Sequence, residues 1–163
     1  MLVVQRLAGK GSSMRFYCFA IAFVMAWMGC GGSVQHDENL AGKRAVEFAE
    51  IAFVRHDLKK GYALLSDNTK RHVPFEKFDE LVTKMHPRGF PTRVTATDYE
   101  PMSGEKAIYI YLRGENPGEQ FDYIITMEGT ASTDYRVLKL ARGGGAYSLG
   151  YKKKFAKPIS AQP

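Results

Sequence analysis

The first half of the mature chain repeats its hydrophobic residues every three to four positions, which is the spacing of amphipathic helices. The first predicted helix spans residues 39–56, and the second spans residues 58–65, with Asp57 as its N-cap. A third helix is predicted from Pro74, because proline is favoured at the start of a helix, to Pro87. Its apolar stripe consists of Phe75, Phe78, Leu81, Val82 and Met85.

From Arg93 onward the hydrophobic period changes to two, which is typical of strands with one buried face. The predicted strands span residues 93–99, 107–112, 121–127 and 135–140. The short links between them contain turn residues such as Ser103-Gly104 and Asn116-Pro117-Gly118, which predicts an antiparallel meander. A further turn is predicted at Ser66-Asp67-Asn68. The expected fold is therefore α+β, with three N-terminal helices packed on one face of a curved sheet of about four strands.

The N-terminus has the pattern of an export signal. Residues 16–29 form an uncharged apolar run after Arg15, and this run is shorter than the roughly 20 residues that a spanning helix needs. The sequence Gly29-Cys30-Gly31-Gly32-Ser33 resembles a lipobox, in which the cysteine thiol is acylated and cleavage occurs just before it. We therefore predict a signal peptide over residues 1–29 and a lipidated Cys30 that starts a flexible tether over residues 30–38. Trp27 departs from the leucine that is usual in a lipobox.

Alternatives to the lipoprotein are ordinary cleaved secretion and an uncleaved membrane anchor. Translation starts at Met1 or at Met14. The predicted location is the cell envelope, on a membrane and exposed to the periplasm or the exterior. The sequence does not distinguish the inner membrane from the outer membrane.

Composition removes several classes of function. The net charge is +6, but three of the basic residues precede Cys30, and the remaining 20 basic and 17 acidic residues give only +3. This balance is too mild for a nucleic-acid-binding surface. No cysteine follows Cys30, so the domain has no disulfide and no thiolate metal site. The histidines lie on the tether and at helix ends, where we expect them to face water. They also lack the spacing of a zinc site, and we expect no cofactor.

The order of elements over residues 40–142 resembles the NTF2-like superfamily, whose members fold as a cone of sheet and helices. The resemblance is carried by GYALLSDNTKR, VPFEKFDELV and DYRVLKL in this sequence. It implies an NTF2-like domain over residues 39–150, followed by a basic flexible tail over residues 151–163. Lys152–Lys154 in that tail, beside Tyr151 and Phe155, suggest either contact with an anionic lipid or polymer, or simple solvation.

A cone of this kind implies a pocket between the sheet and the helices. The candidate lining residues are Phe53, Tyr62, Phe78, Val94, Tyr109, Tyr111, Tyr123 and Ile125. The alternative is that these rings fill the cone. Enzymes of the superfamily place an acid/base pair in such a pocket, and the candidates here are Asp98, Asp122 and His56. An enzyme should bury a carboxylate beside a tyrosine, whereas we expect Asp122 to face solvent.

Because the sequence contains no recognisable catalytic set, we predict a non-catalytic domain that binds a small apolar ligand or a protein. The alternatives are an isomerase- or dehydratase-type enzyme and a structural protein of envelope assembly. A homodimer formed through the sheet is a further open alternative.

Overall fold

The computed structural model describes residues 34–143 and 150–161. Within them, the helices come first and are α1 Glu38–Ala49, α2 Leu58–Ala63, α3 Asp67–His72 and α4 Phe75–Met85. A π-helical turn, Glu50–Val54, extends α1. The strands that follow are β1 Arg93–Pro101, β2 Ala107–Asn116, β3 Glu119–Glu128, β4 Arg136–Arg142 and β5 Lys153–Ser160.

The predicted first helix is present as α1 and the π-helical turn together. Asp37 caps its start, since the carboxylate accepts a hydrogen bond of 2.9 Å from the Leu40 amide. In the turn, the Arg55 amide donates to the Glu50 carbonyl, five residues back. The wider turn leaves Ala52 and Phe53 both fully buried.

The predicted turn at Ser66-Asp67-Asn68 is wrong, because α3 begins there. The Ser66 hydroxyl accepts a hydrogen bond from the Thr69 amide at 3.2 Å and so caps the helix. The Thr69 hydroxyl in turn donates to the Leu138 carbonyl at 2.7 Å, which fixes α3 against β4. Serine, aspartate and asparagine favour turns and helix N-caps for the same reason, namely side-chain bonds to nearby amides, so composition alone did not separate the two.

The strands form one antiparallel sheet in the order β4-β3-β2-β1-β5. The predicted meander is confirmed for β1 to β4, and the α+β class is confirmed with it. The core lies where α1, the π-helical turn and α4 cover one face of the sheet, which we call the inner face. Ile108, Ile110 and Leu112 of β2 point into this core.

Strand β5 corrects the prediction of a flexible tail over residues 151–163. It pairs with β1, with Tyr99 opposite Lys153 and Ala96 opposite Ile159. Phe155 is only 7% exposed, and its ring centroid lies 4.9 Å from that of Tyr99. Lysines and a proline are typical of an edge strand, where they block further pairing, and the same residues resemble a solvated tail.

Two β-bulges change which residues face the core. In β1 the register shifts between Ala96 and Asp98, so that Ala96 and Tyr99 both lie opposite core residues of β2. Asp98 is thereby paired with Tyr111, on the other face. In β4 the register shifts at Leu138, so that Lys139 turns to the outer face while its neighbour Leu140 packs against the core. Strict alternation, which we assumed from the sequence, misassigns every residue beyond such a bulge.

The compact unit begins at Val34, so the last part of the predicted flexible tether is in fact part of the domain. The Gln35 carbonyl accepts a hydrogen bond of 2.8 Å from the Ala131 amide. The Asp37 amide donates to the Tyr135 hydroxyl at 2.9 Å. In the described residues, no helix combines the length and apolar character needed to cross a bilayer.

Candidate functional site

The outer face of the sheet, opposite the helices, carries a cavity of about 360 Å³. Its described lining comes from strands and the β1–β2 turn, and no described helix residue takes part. The lining residues are Met102, Glu105, Ala107, Tyr109, Ile124, Thr126, Leu138, Lys139 and Ala141. The size and the mostly apolar lining with a few polar groups suit a small apolar ligand or a protruding apolar side chain.

Strand register and the bulge in β4 together assemble this outer-face cavity. Tyr109 lies opposite Thr126 across β2 and β3, and Ile124 lies opposite Ala141 across β3 and β4. Leu138 is the extra residue of the bulge and lines the cavity beside them. Ile124 is the most buried of the lining residues, at 4% exposed. Within the described part of the chain, the cavity is therefore formed by strands β2 to β4 and the β1–β2 turn.

A larger groove of about 1030 Å³ runs between α1, the π-helical turn and β5. It has five charged lining residues, namely Lys43, Glu47, Glu50, Arg55 and Lys157. Two of its acids are already neutralised, because Glu47 pairs with Arg44 at 2.8 Å and Glu50 pairs with Arg55 at 3.2 Å. The outer-face cavity has only two charged lining residues and is therefore the better site for an apolar group.

A buried carboxylate lies on the same face, one strand away from the cavity. Glu100 is 2% exposed, and its Oε2 accepts a hydrogen bond of 2.8 Å from the Tyr111 hydroxyl. In the sheet Glu100 is paired with Tyr109, which lines the cavity, although Glu100 is not among the lining residues. Glu100 is thus the carboxylate beside a tyrosine that an acid/base enzyme requires, and the sequence analysis did not select it.

Lys152 covers this pair from the solvent side. Its ammonium nitrogen lies 4.1 Å from the centroid of the Tyr111 ring, which is a cation–π contact. The same nitrogen lies 3.6 Å from Oδ2 of Asp98. The Asp98 side chain is 15% exposed, so the ion pair is partly shielded from water.

A second polar pair, His86 and Tyr123, is enclosed in the core. His86 Nδ1 lies 2.8 Å from the Val82 carbonyl, so it carries the proton, and Nε2 accepts from the Tyr123 hydroxyl at 2.8 Å. Burial lowers the pKa of His86 and raises the pKa of Tyr123, because both charged forms would lose their hydration. Both ring nitrogens of His86 are used within the core. The pair therefore holds α4 to β3 and leaves no imidazole nitrogen for a substrate.

His86 corrects our expectation that helix-end histidines face water, since it is only 4% exposed. Its ring stacks on Phe90 with centroids 4.4 Å apart, and its centroid lies 5.0 Å from that of Phe53. The alternation of β3 places Tyr123 in the core. Its partner His86 directly follows the last residue of α4, where the helical period has ended, so the sequence pattern does not reveal the pair.

The pocket predicted between sheet and helices is filled by its own candidate residues. Phe53, Tyr123 and Phe78 are 0%, 1% and 2% exposed. Side chains lining a water-sized cavity would keep accessible surface, so these three rings do not line one. Phe53 packs against Tyr123 with ring centroids 5.0 Å apart. At these three positions the rings fill the interior, as the alternative prediction stated. Val94 and Ile125 are core residues as well.

The other predicted lining residues lie in three different places. Tyr62 packs edge-on against Phe75, and its hydroxyl donates to the Val73 carbonyl at 3.0 Å. Tyr109 does line a cavity, but on the outer face. Tyr111 is held between Glu100 and Lys152. The eight predicted lining residues therefore do not surround one pocket.

The three acid/base candidates are not brought together. Asp98 pairs with Lys152, and the exposed Asp122 lies 3.8 Å from Arg113, facing solvent as expected. His56 is exposed at the far end of α1, with a positive φ of 56° and its ring 4.1 Å from that of Phe90. The predicted lipidation site Cys30 lies outside the described residues.

Within residues 34–143 and 150–161, no three histidine, cysteine, aspartate or glutamate side chains are grouped as a metal site. Comparison with known proteins found no match to a family model, to a curated protein or to a solved structure.

Proposed function

We propose that the chain is a lipoprotein of the bacterial cell envelope, held by an acylated Cys30, whose NTF2-like domain binds a small apolar molecule without catalysis. The export pattern of residues 1–33 supports the location, and the order of helices and strands supports the family. The observation that carries the binding function is the apolar cavity of about 360 Å³ on the outer face of the sheet.

Binding is tested with the uncharged fluorophore N-phenyl-1-naphthylamine, whose emission rises in an apolar site. We expect the full-length protein to enhance its fluorescence. Ala141→Phe, which fills the outer-face cavity, should abolish the enhancement, because Ala141 lines it. The matched control is Ala156→Phe, which places the same ring in the groove beside β5 and should leave binding unchanged. Loss of binding in the control alone would reject the outer-face cavity.

The anchor is tested separately. Radiolabelled palmitate should be incorporated into the wild-type chain and not into Cys30→Ser. Labelling that persists in this variant would refute acylation of Cys30, whatever the fluorophore shows.

An acid/base enzyme is the second candidate, and the buried pair of Glu100 and Tyr111 is the observation that favours it. A general base must lie within about 3.2 Å of the proton that it removes. Glu100 lies beside the cavity and does not line it, which is why we rank catalysis second. A crystal structure with the fluorophore bound beyond that reach from both Glu100 oxygens would count against the enzyme.

A homodimer through the outer face is a third proposal. It would cover the cavity, so native mass spectrometry should then show a dimer that Ala141→Phe weakens. A wild-type monomer at all concentrations would exclude it.

A further inference from the structure

We propose that Tyr151–Lys154, at the start of β5, form a basic corner that rests on the anionic headgroups of the bilayer to which the chain is anchored. This inference rests on the proposed lipid anchor. It adds an orientation, because it states which end of the domain faces the membrane.

The first step is the position of the N-terminal segment. His36 Nε2 lies 3.0 Å from the carbonyl of Glu105 in the β1–β2 turn, and Gln35 bonds to Ala131 in the β3–β4 connection. Both connections lie at the end of the sheet where β1 ends. The domain is therefore joined to the anchor at this end of the sheet.

The second step is that the basic corner lies at the same end. Lys153 is paired with Tyr99, two residues before the end of β1. On the inner face, the Tyr99 hydroxyl lies 3.4 Å from the carboxylate of Glu38, the first residue of α1. One tyrosine thus links the start of α1 to the start of β5.

The third step is the length of chain available. Seven residues lie between Cys30 and Glu38, and the eight steps from one residue to the next span at most about 28 Å in a fully extended chain. Since Gln35–Asp37 are already bonded to the domain, the free connection is shorter still. An acylated Cys30 would hold this end of the sheet close to the headgroups.

The fourth step is the charge and exposure of the corner. Lys153 and Lys154 are exposed and have no ion-pair partner among the described residues. Two acids beside them are engaged, because Asp98 pairs with Lys152 and Glu100 is buried against Tyr111. Tyr151 is 75% exposed, and an aromatic ring beside lysines suits the membrane interface.

Amine footprinting of the full-length acylated protein tests the orientation. The protein is reconstituted into vesicles of phosphatidylcholine alone or mixed with phosphatidylglycerol and treated with a membrane-impermeant acetylating reagent. Mass spectrometry then gives the rate at each lysine. On the anionic vesicles, we expect Lys153 and Lys154 to react about fivefold more slowly, and high salt to remove this protection. Lys59, which is exposed in α2 just after the far end of α1, is the internal reference and should not change.

Two matched variants test whether the protection depends on the charge of the basic corner. Lys154→Glu should reduce the protection of Lys153, whereas Lys59→Glu should not. Equal rates on both vesicles, with Cys30 shown to be acylated by intact mass, would overturn the basic corner and leave the lipoprotein proposal standing. An unacylated Cys30 would instead refute the anchor. Protection of the corner by soluble dextran sulfate but not by anionic vesicles would overturn the bilayer as its partner.

Discussion

The buried histidine makes a prediction about pH at the scale of single residues. Burial lowers the pKa of His86 in the folded chain, while in the unfolded chain it titrates near its ordinary value of about 6.5. Below that pH the unfolded state binds the extra proton, so stability is complete above about 6.5 and falls as the pH drops. The slope from one such group is at most about 1.4 kcal/mol per pH unit.

Replacing His86 with glutamine, whose amide does not titrate, should remove this part of the acid destabilisation. The measurement is the free energy of unfolding in urea at pH 7 and at pH 5.5. His72→Gln is the control, because His72 is exposed on α3 and has no buried environment to lose. An unchanged pH dependence in His86→Gln would show that His86 does not stay neutral on folding.

The Glu100–Tyr111 pair makes a second prediction at this scale. Tyr111→Phe removes the hydroxyl that donates to Oε2 of Glu100, a side chain only 2% exposed, while the Tyr151 amide still donates to Oε1 at 3.4 Å. Losing one buried hydrogen bond of this kind costs about 1–3 kcal/mol. Tyr99→Phe is the matched control, since its hydroxyl makes a long bond of 3.4 Å to Glu38 and should cost less. Equal losses in urea unfolding would mean that the pair contributes no special stability.

At the scale of elements, β5 can be tested directly, because the sequence predicted a flexible tail where the structure has a strand. Phe155→Ala should destabilise the domain by about 3 kcal/mol, because a buried ring is lost from the inner face. Tyr151→Ala, in the same segment but 75% exposed, should change the unfolding midpoint little. A loose tail predicts no effect from either substitution, so an unaffected Phe155→Ala would contradict the strand.

Gly42 of α1 allows β5 to pack closely against that helix. A Cβ built on Gly42 would lie 2.8 Å from Cζ of Phe155 and 2.7 Å from Cδ1 of Ile159. Only glycine leaves α1 room to approach β5 this closely. Neither the spacing of apolar residues in α1 nor the composition of β5 signals such a pairing between residues more than 100 positions apart.

Periodicity predicted the larger elements because each buries one regular face. The stripe that begins at Phe75 gave α4, and the alternation around Ile108 gave β2. The face of β2 was wrong, because Tyr109 and Tyr111 were expected in the pocket beside the helices and lie on the outer face. Periodicity failed at Leu138, where one extra residue turns the rest of β4 to the opposite face of the sheet. It also failed at Ser66, where the residues that cap a helix are the same ones that favour a turn. The bulge in β4 brings Leu138 into the cavity lining, and the bulge in β1 turns Glu100 to the outer face, so alternation alone predicts neither.

The whole molecule shows why the acid/base candidates of the sequence analysis do not meet in one pocket. Asp98 and Asp122 lie on strands as predicted, but both are on the outer face and are separated there by β2. The inner face is filled by aromatic rings and by the His86–Tyr123 pair. Among the described residues, the inner face therefore leaves no room for a ligand, and the outer face carries the cavity proposed for binding.

The boundary of the folded unit gives the last prediction. A chain that begins at Val34 keeps the Gln35–Ala131 bond, the Asp37 cap and the bond to Tyr135. One that begins at Leu40 loses all three, at about 1 kcal/mol each, and leaves the buried Tyr135 hydroxyl without its amide donor. We expect a loss of about 3 kcal/mol between the two chains in urea unfolding. Equal stability would mean that residues 34–39 are only a tether, and the anchor would then not fix which end of the domain faces the membrane.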